Sequence, residues 1–251
     1  MPDDPWLIIG IHAVQAALRQ GGSVLEVWVD SQRRDGRMQK LLEAAHAAGV
    51  KTRQLTGREL DERAKGAGHQ GVIARIRPTE PHDEPYLKAL LRRLDVETFL
   101  LILDGVQDPQ NLGACLRTAD AVGVQAVIAP RDRSVGLTAT VCKVASGAAE
   151  TVPFVQVTNL ARCLKWLRDT GVWLVGTVGG AQQSIYRTDL TGPLALFMGG
   201  EGKGLRRLTR EQCDQLVHLP MAGSVESLNV SVDTGVALYE AIRQRSADRS
   251  K

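Results

Sequence analysis

The stretch DPQNLGACLR at residues 108–117 sets an Asp-Pro-x-Asn turn directly before a helical pattern, with Arg117 six places beyond Asn111. Backbone N–H groups already make the start of a helix positive, so a cation held there calls for an anion nearby. With Asn111 as the N-cap, Leu112, Cys115, Leu116, Ala119 and Val122 fall on one stripe that faces the core. Arg117 takes another face, over the bare Gly113 four residues earlier, because helical side chains lean toward the N-terminus. An anion fits between the guanidinium and the capping N–H groups. An ordinary turn followed by a solvated Arg is the alternative.

Two further stretches carry chemistry. GGEGKG at 199–204 has four glycines in six residues directly after an apolar run, so a flat, nucleotide-like molecule can approach its backbone closely. It is no P-loop, because Lys203 has Phe197 six places before it and Gly204 after it where Gly and Ser or Thr are needed. Nor is it a dinucleotide fingerprint, which belongs after the first strand of its unit. Glu201 otherwise does no more than favour the start of the helical segment that follows. In LPMAGSVESLNVSVDTGVALYEAIRQR, from 219 on, the helical period begins at Val230 and puts Asn229 at or next to an N-cap. Ser227 and Asn229 then place polar groups at a second helix start, unless both are simple caps.

The elements that must position these residues are legible as a pattern. FLLILD (99–104), VQAVIAP (124–130), VWLVGTV (172–178), LALFMG (194–199) and QLVHLP (215–220) are continuous apolar runs separated by helical segments. That predicts an α/β fold whose parallel sheet is covered on both faces. Ligands of such sheets bind beyond the carboxyl ends of the strands, where all three stretches fall. Before them, GIHAVQAALRQ, VLEVWVD, MQKLLEAAHAAG and GVIARI predict a small α/β unit over 1–77. Pro78, Pro81 and Pro85 among acidic residues mark 78–96 as a linker, and 97–251 as the second domain.

Bulk properties narrow the class. A chain of 251 residues with 43% hydrophobic and 24% charged residues has enough apolar content for one large or two small globular domains. The net charge of +3 permits a nucleic-acid partner without requiring one. Cys115, Cys142, Cys163 and Cys213 are far apart, without a C-x-x-C or a His at ligand spacing, so reduced thiols and no metal are expected. The acidic start MPDDP and the shortness of the longest apolar runs argue against a leader or a membrane span, and a cytoplasmic protein is expected.

Taken together, D104-GVQDPQNLGACLRTADAVG-123, L194-ALFMGGEGKGL-205 and L219-PMAGSVESLNVSVDTGVALYE-240 resemble the SPOUT superfamily of RNA methyltransferases, in the branch that methylates ribose 2′-hydroxyls. GIHAV at 10–14, HQG at 69–71 and KVASGAAE at 143–150 resemble more narrowly the bacterial large-subunit (23S) ribosomal RNA guanosine 2′-O-methyltransferases. The resemblance implies S-adenosyl-L-methionine as cofactor, a ribosomal-protein-like RNA-binding domain in front, a deep C-terminal trefoil knot, and a homodimer whose active sites are shared between chains. General topology rules imply no knot, because threaded loops are nearly absent from folds. By the same resemblance, Gly199, Leu219 and Leu228 hold the cofactor through backbone groups, with Thr177, Gly179 and Met221 as neighbours. Asn111, Arg117, Glu201, Ser227 and Asn229 match the polar active-site positions. Gly200 stands where relatives often have Ala or Ser, and Lys203 occupies a variable place.

The implied reaction joins a poor nucleophile, a ribose hydroxyl, to a methyl group already activated by the cofactor's charge, so the protein must align the partners and help remove one proton. Arg117 is an unsuitable base, since guanidinium stays protonated and has no acceptor. Gripping the phosphate beside the target ribose answers the anion question posed by the helix start. In residues 1–77, 12 Lys and Arg stand against 9 Asp and Glu. Arg33 and Arg34, together with His12 and His69 in the resembling motifs, are the RNA-binding candidates, with Arg37, Lys51, Arg53, Arg58, Arg63 and Lys65 as further cations. A transfer-RNA ribose methyltransferase of the same branch and a non-catalytic ribosomal-RNA-binding assembly factor are the competing readings.

Overall fold

The computed structural model describes residues 6–21, 23–77, 79–94, 97–200 and 204–248. The chain divides into two compact units, one of residues 1–80 with 137–151 and one of 81–136 with 152–251.

In the first unit, β1 (Trp6–Ile9), α1 (Ile11–Gln20), β2 (Val24–Asp30), α2 (Gly36–Ala47), β3 (Lys51–Leu55), α3 (Gly57–Ala64) and β4 (Val72–Ile76) form a four-stranded sheet of order β1-β4-β2-β3. β4 runs antiparallel to both of its neighbours, while β2 and β3 are parallel. Val14, Val27, Leu41 and Ala74 are buried on one side of this sheet, and Leu55, Leu60 and Ile73 form a separate cluster with α3. The start of α3 is a capping box: Thr56 Oγ1 accepts from the Glu59 N–H, and the Glu59 carboxylate accepts from the Thr56 N–H.

The second unit contains α4 (Glu84–Leu91), β5 (Phe99–Asp104), α5 (Pro109–Ala121) and β6 (Ala126–Pro130). α6 (Ala139–Ala145) and α7 (Ala148–Thr151) follow in sequence but cluster with the first unit. The chain then returns with β7 (Phe154–Val157), α8 (Leu160–Asp169), β8 (Trp173–Thr177), β9 (Gln183–Ser184), β10 (Leu194–Gly199), α9 (Arg207–Arg210), β11 (Gln215–His218) and α10 (Val230–Asp248). The seven strands are ordered β7-β6-β5-β10-β8-β11-β9, and every pairing is parallel. All six residues of β5 are buried, as a strand covered on both faces requires. Within the expected linker, 84–91 forms α4, and its Leu87 belongs to the core that Leu100, Ile102, Leu164 and Phe197 build.

One local expectation is corrected. The N-cap of α5 is Asp108, whose carboxylate accepts from the Gln110 N–H at 3.0 Å, and Asn111 lies inside the first turn, buried. Pro109 explains the shift: its fixed φ suits the first helical position and its missing N–H is no loss there, so the cap falls on the residue before it. The apolar stripe is unchanged, with Leu112, Cys115, Leu116, Ala119 and Val122 all buried.

Candidate functional site

The order β5-β10-β8-β11 brings four strand ends side by side. Gly199 pairs with Asp104, Phe197 with Gly176, and Val217 with Thr177, so the loops leaving β8, β10 and β11 emerge together. They enclose a cleft of about 880 Å³ lined by Thr177, Gly179, Gly199, Leu219, Met221, Ser227, Leu228 and Asn229, which are eight of the residues expected from the sequence. Strand ends separated widely in sequence meet here because the chain reverses its order across the sheet, which is where such sheets bind ligands.

The glycine loop is held by backbone. Gly200 N–H donates to the Asp104 carbonyl at 2.9 Å and Gly204 N–H to the Gly200 carbonyl at 3.0 Å. A Cβ at Gly199 would stand 2.1 Å from the backbone carbon of Gly204, so no side chain fits between the strand end and the returning loop. Behind the loop, the fully buried Asp104 carboxylate accepts from the Arg206 N–H at 3.0 Å and is paired with the Arg206 guanidinium. Sequence reasoning missed both partners. The signal available was an acid closing an otherwise apolar strand, FLLILD.

Each remaining candidate has a definite place. Thr177 Oγ1 donates to the Phe197 carbonyl at 2.9 Å and so stitches β8 to β10. Asn229 immediately precedes α10, and its Oδ1 accepts from the Ser231 N–H at 2.9 Å and hydroxyl at 2.6 Å. Asn111 and Arg117 sit on α5 and do not line the cleft within one chain. α5 is nonetheless fastened to α10 by the Cys115 thiol, 3.4 Å from Thr234 Oγ1. Arg117 is exposed and makes no ion pair among the described residues. Glu201 lies outside the described residues, as does Lys203. Gly200 and Gly204 of the expected glycine loop also line it, and Val178, Gly180, Met198, Glu226, Val230 and Asp233 complete the lining without having been expected.

In the first unit two of the resembling motifs, GIHAV and HQG, converge. Gln70 Oε1 accepts from the Ile11 N–H at 3.4 Å, Gly10 N–H donates to the Val72 carbonyl at 3.1 Å, and the Arg33 guanidinium donates to the Gln70 carbonyl and pairs with Asp35. His69 organises this turn: Nδ1 accepts from the Gly71 N–H at 3.0 Å, which leaves Nε2 to donate to Asp61 at 3.0 Å. Of the four RNA candidates, His12 and Arg34 are the exposed ones. His12, with Arg19, Arg37 and Lys40, borders a cavity of about 300 Å³ between α1 and α2.

Burial pushes the thiols up, to about 11 for Cys115 and about 12 for Cys142, Cys163 and Cys213, so none is poised as a nucleophile. Among the described residues no group of three or more His, Cys, Asp or Glu could hold a metal ion, and no helix is long and apolar enough to cross a membrane.

Residues 7–82 match a family described as RNA 2'-O ribose methyltransferase substrate binding. The chain is 55% identical over 240 residues to the 23S rRNA (guanosine-2'-O-)-methyltransferase RlmB of Shewanella oneidensis, covering 95% of this chain and 97% of that one. It is 54% identical to the RlmB of Escherichia coli K12, covering 96% and 99%. The solved structure of the SpoU methyltransferase AviRb from Streptomyces viridochromogenes, in complex with AdoMet, shares the fold with a TM-score of 0.79 at 24% identity, covering 97% of this chain and 91% of that one. Residues 98–239 match the SpoU rRNA Methylase family, and the chain belongs to it.

Proposed function

We propose that this chain transfers a methyl group from S-adenosylmethionine to the ribose 2′-hydroxyl of a guanosine in large-subunit ribosomal RNA. The observation that carries the reading is the convergence of eight expected residues on one cleft beyond β8, β10 and β11. Identity above 50% to 23S rRNA enzymes over nearly the whole chain supports this substrate over a transfer RNA.

The cleft suits the cofactor. Gly179, Gly180, Gly199 and Gly200 offer backbone groups, Met198, Leu219, Met221 and Leu228 offer apolar surface for a purine, and the charged side chains among the lining residues, Glu226 and Asp233, are acidic and match a cationic ligand. When bound, S-adenosylmethionine supplies a methyl group activated by positive charge on sulfur. Leu219, Leu228 and Gly199 hold the adenosine by backbone, while Thr177, Gly179 and Met221 shape its slot. Asn111 and Asn229 orient ribose and cofactor, with Ser227 as a further polar group before α10. Asn111 and Arg117 approach from α5, and Glu201 positions Arg117 or Asn111. Arg117 keeps its proton and grips the phosphate beside the target ribose, whose oxygen receives the proton that the hydroxyl loses.

The finer organisation belongs to the same proposal. Residues 1–77 select the RNA, 78–96 link, and 97–251 perform the chemistry; His12, Arg33, Arg34 and His69 face the RNA or hold the segments that do. A C-terminal trefoil knot is supported by chain order: after β8 the chain makes β9 at the sheet edge, returns with β10 between β5 and β8, then inserts β11 between β8 and β9. A homodimer is supported by Val232 and Tyr239, seven residues apart on one face of α10 and 49% and 56% exposed. It would bring Arg117 of one protomer to the cleft of the other. The protein acts in the cytoplasm, where ribosomal RNA is made, and uses no metal.

The decisive experiment maps 2′-O-methylation across 23S rRNA from cells with and without the protein. Loss of one methylated guanosine, restored by the wild-type gene, is expected. An unchanged 23S map with a lost transfer-RNA site would transfer the reading to the tRNA class. Absence of methyl transfer in vitro from labelled cofactor would leave the assembly-factor reading.

A further inference from the structure

Asp233 lies one turn into α10 and borders the cleft, and beyond its acidic character the methyl-transfer scheme gives it no contact. Its Oδ1 is sealed from solvent and has no hydrogen-bond partner among the described residues. Buried carboxylates are ordinarily satisfied, because an unmet charged acceptor costs more than a typical hydrogen bond contributes. Its neighbours are satisfied: Thr234 Oγ1 donates to the Val230 carbonyl at 2.7 Å, and Asn229 Oδ1 accepts from Ser231. Burial raises the Asp233 carboxyl above the usual aspartate range, and among the described residues no cation opposes that shift. The N–H groups at the start of α10 are the only feature of its own helix that favours negative charge there.

A group kept at a cost to the fold, at the edge of a ligand cleft, points to a ligand that relieves the cost. The carboxylate shares its charge between two oxygens, so the charge is felt in the cleft although Oδ1 is sealed. We propose that Asp233 is a cofactor-binding residue, whose carboxylate pairs with an electropositive group of bound S-adenosylmethionine. The inference rests on the reading of this cleft as the cofactor site. Three groups have the required chemistry: the sulfonium, the amino-acid ammonium and the adenine amino group.

A ligand panel separates them, measured by calorimetry on the full-length protein and on Asp233→Asn and Asp233→Ala. S-adenosylmethionine carries all three groups, S-adenosylhomocysteine lacks the sulfonium charge, and 5′-methylthioadenosine keeps only the adenine amine. Alanine is included because asparagine retains a carbonyl acceptor. We expect S-adenosylmethionine to bind at least about tenfold more weakly to Asp233→Ala, a change of about 1.4 kcal/mol. We also expect the ligand-free melting temperature of Asp233→Asn to rise, since the charge of a half-buried carboxylate with one sealed, unpartnered oxygen is removed. Loss confined to S-adenosylmethionine assigns the sulfonium, loss shared with S-adenosylhomocysteine the ammonium, and equal loss for all three ligands the adenine amine. Unchanged affinities in both variants overturn the inference, as does equal loss for all three ligands with a lowered melting temperature, the mark of a merely structural role. Failure of the wild-type protein to bind S-adenosylmethionine would instead overturn the cofactor reading of the cleft.

Discussion

Asp104 and Arg206, 102 positions apart in the chain, are joined behind the glycine loop, with the carboxylate taking both the Arg206 N–H and its guanidinium. The Asp104 side chain is wholly buried, while that of Arg206 remains 39% exposed. The pair ties the end of β5 to the segment returning from the loop, so the backbone that faces the cleft is braced from the protein side. Removing the cation leaves a buried carboxylate with fewer partners. Arg206→Ala is therefore expected to destabilise the fold by about 3 kcal/mol, read from urea unfolding, with Arg206→Lys recovering part of the loss because a point charge cannot reproduce the forked contact.

Gly199 has no room for a methyl group, since a Cβ would meet the Gly204 backbone at 2.1 Å. Backbone cannot yield as a flexible side chain does, so Gly199→Ala must push the loop out of place. Cofactor affinity should fall at least about tenfold, measured by calorimetry. Wild-type affinity in this variant would show that the loop does not shape the cofactor site.

Arg117 is exposed and outside the cleft lining of its own chain, which suits a residue that meets RNA and not the cofactor. Arg117→Ala should abolish methyl transfer and leave cofactor affinity within a few fold. Turnover at the wild-type rate would end its assignment to the phosphate.

The exposed pair Val232 and Tyr239 predicts the oligomeric state. Tyr239→Glu puts a charge in the proposed contact and should shift the protein from dimer to monomer in light scattering, with activity lost alongside. A wild-type protein that is monomeric at micromolar concentration would remove the shared-site arrangement.

Acid stability follows from two carboxylates. A hydrogen bond from Arg243 holds Glu240 below the usual glutamate range, and one from Lys88 does the same for Glu84. Their folded values are depressed, so their contribution is present above the unfolded value of about 4.3 and is lost as pH falls through the folded values. Asp233 and Glu150, raised by burial, act with the opposite sign. The urea midpoint should drop between about pH 5 and pH 3, and Glu240→Gln should flatten that drop.

How much of this was legible beforehand differs by residue. The runs FLLIL and LALFM are apolar throughout, and only a strand covered on both faces tolerates that, so both were readable as β5 and β10. KTRQL was not, because a short edge strand such as β3, exposed at four of its five residues, leaves no apolar pattern to read, and FVQV (β7), though buried at three of four positions, is too short a run to separate from a loop. The helix 84–91 was hidden by three prolines, one of which, Pro85, occupies the first turn, where proline is tolerated. Asn111 was misplaced as a cap by the same local ambiguity.

By itself the sequence determined the α/β class, the parallel character of the second sheet and the stretches that supply the loops beyond its strands, since each depends on local periodicity and turn composition, but not that 137–151 clusters with the first unit. Only the tertiary structure decided which loops meet. Strand order, with β10 between β5 and β8, is a matter of long-range pairing that no local pattern encodes, and it alone brings Thr177, Gly199, Leu219 and Asn229 around one cleft. Asp104, Arg206 and Asp233 emerged at the same level. Their significance lies in burial and in the presence or lack of a partner, which exist only once the chain has folded.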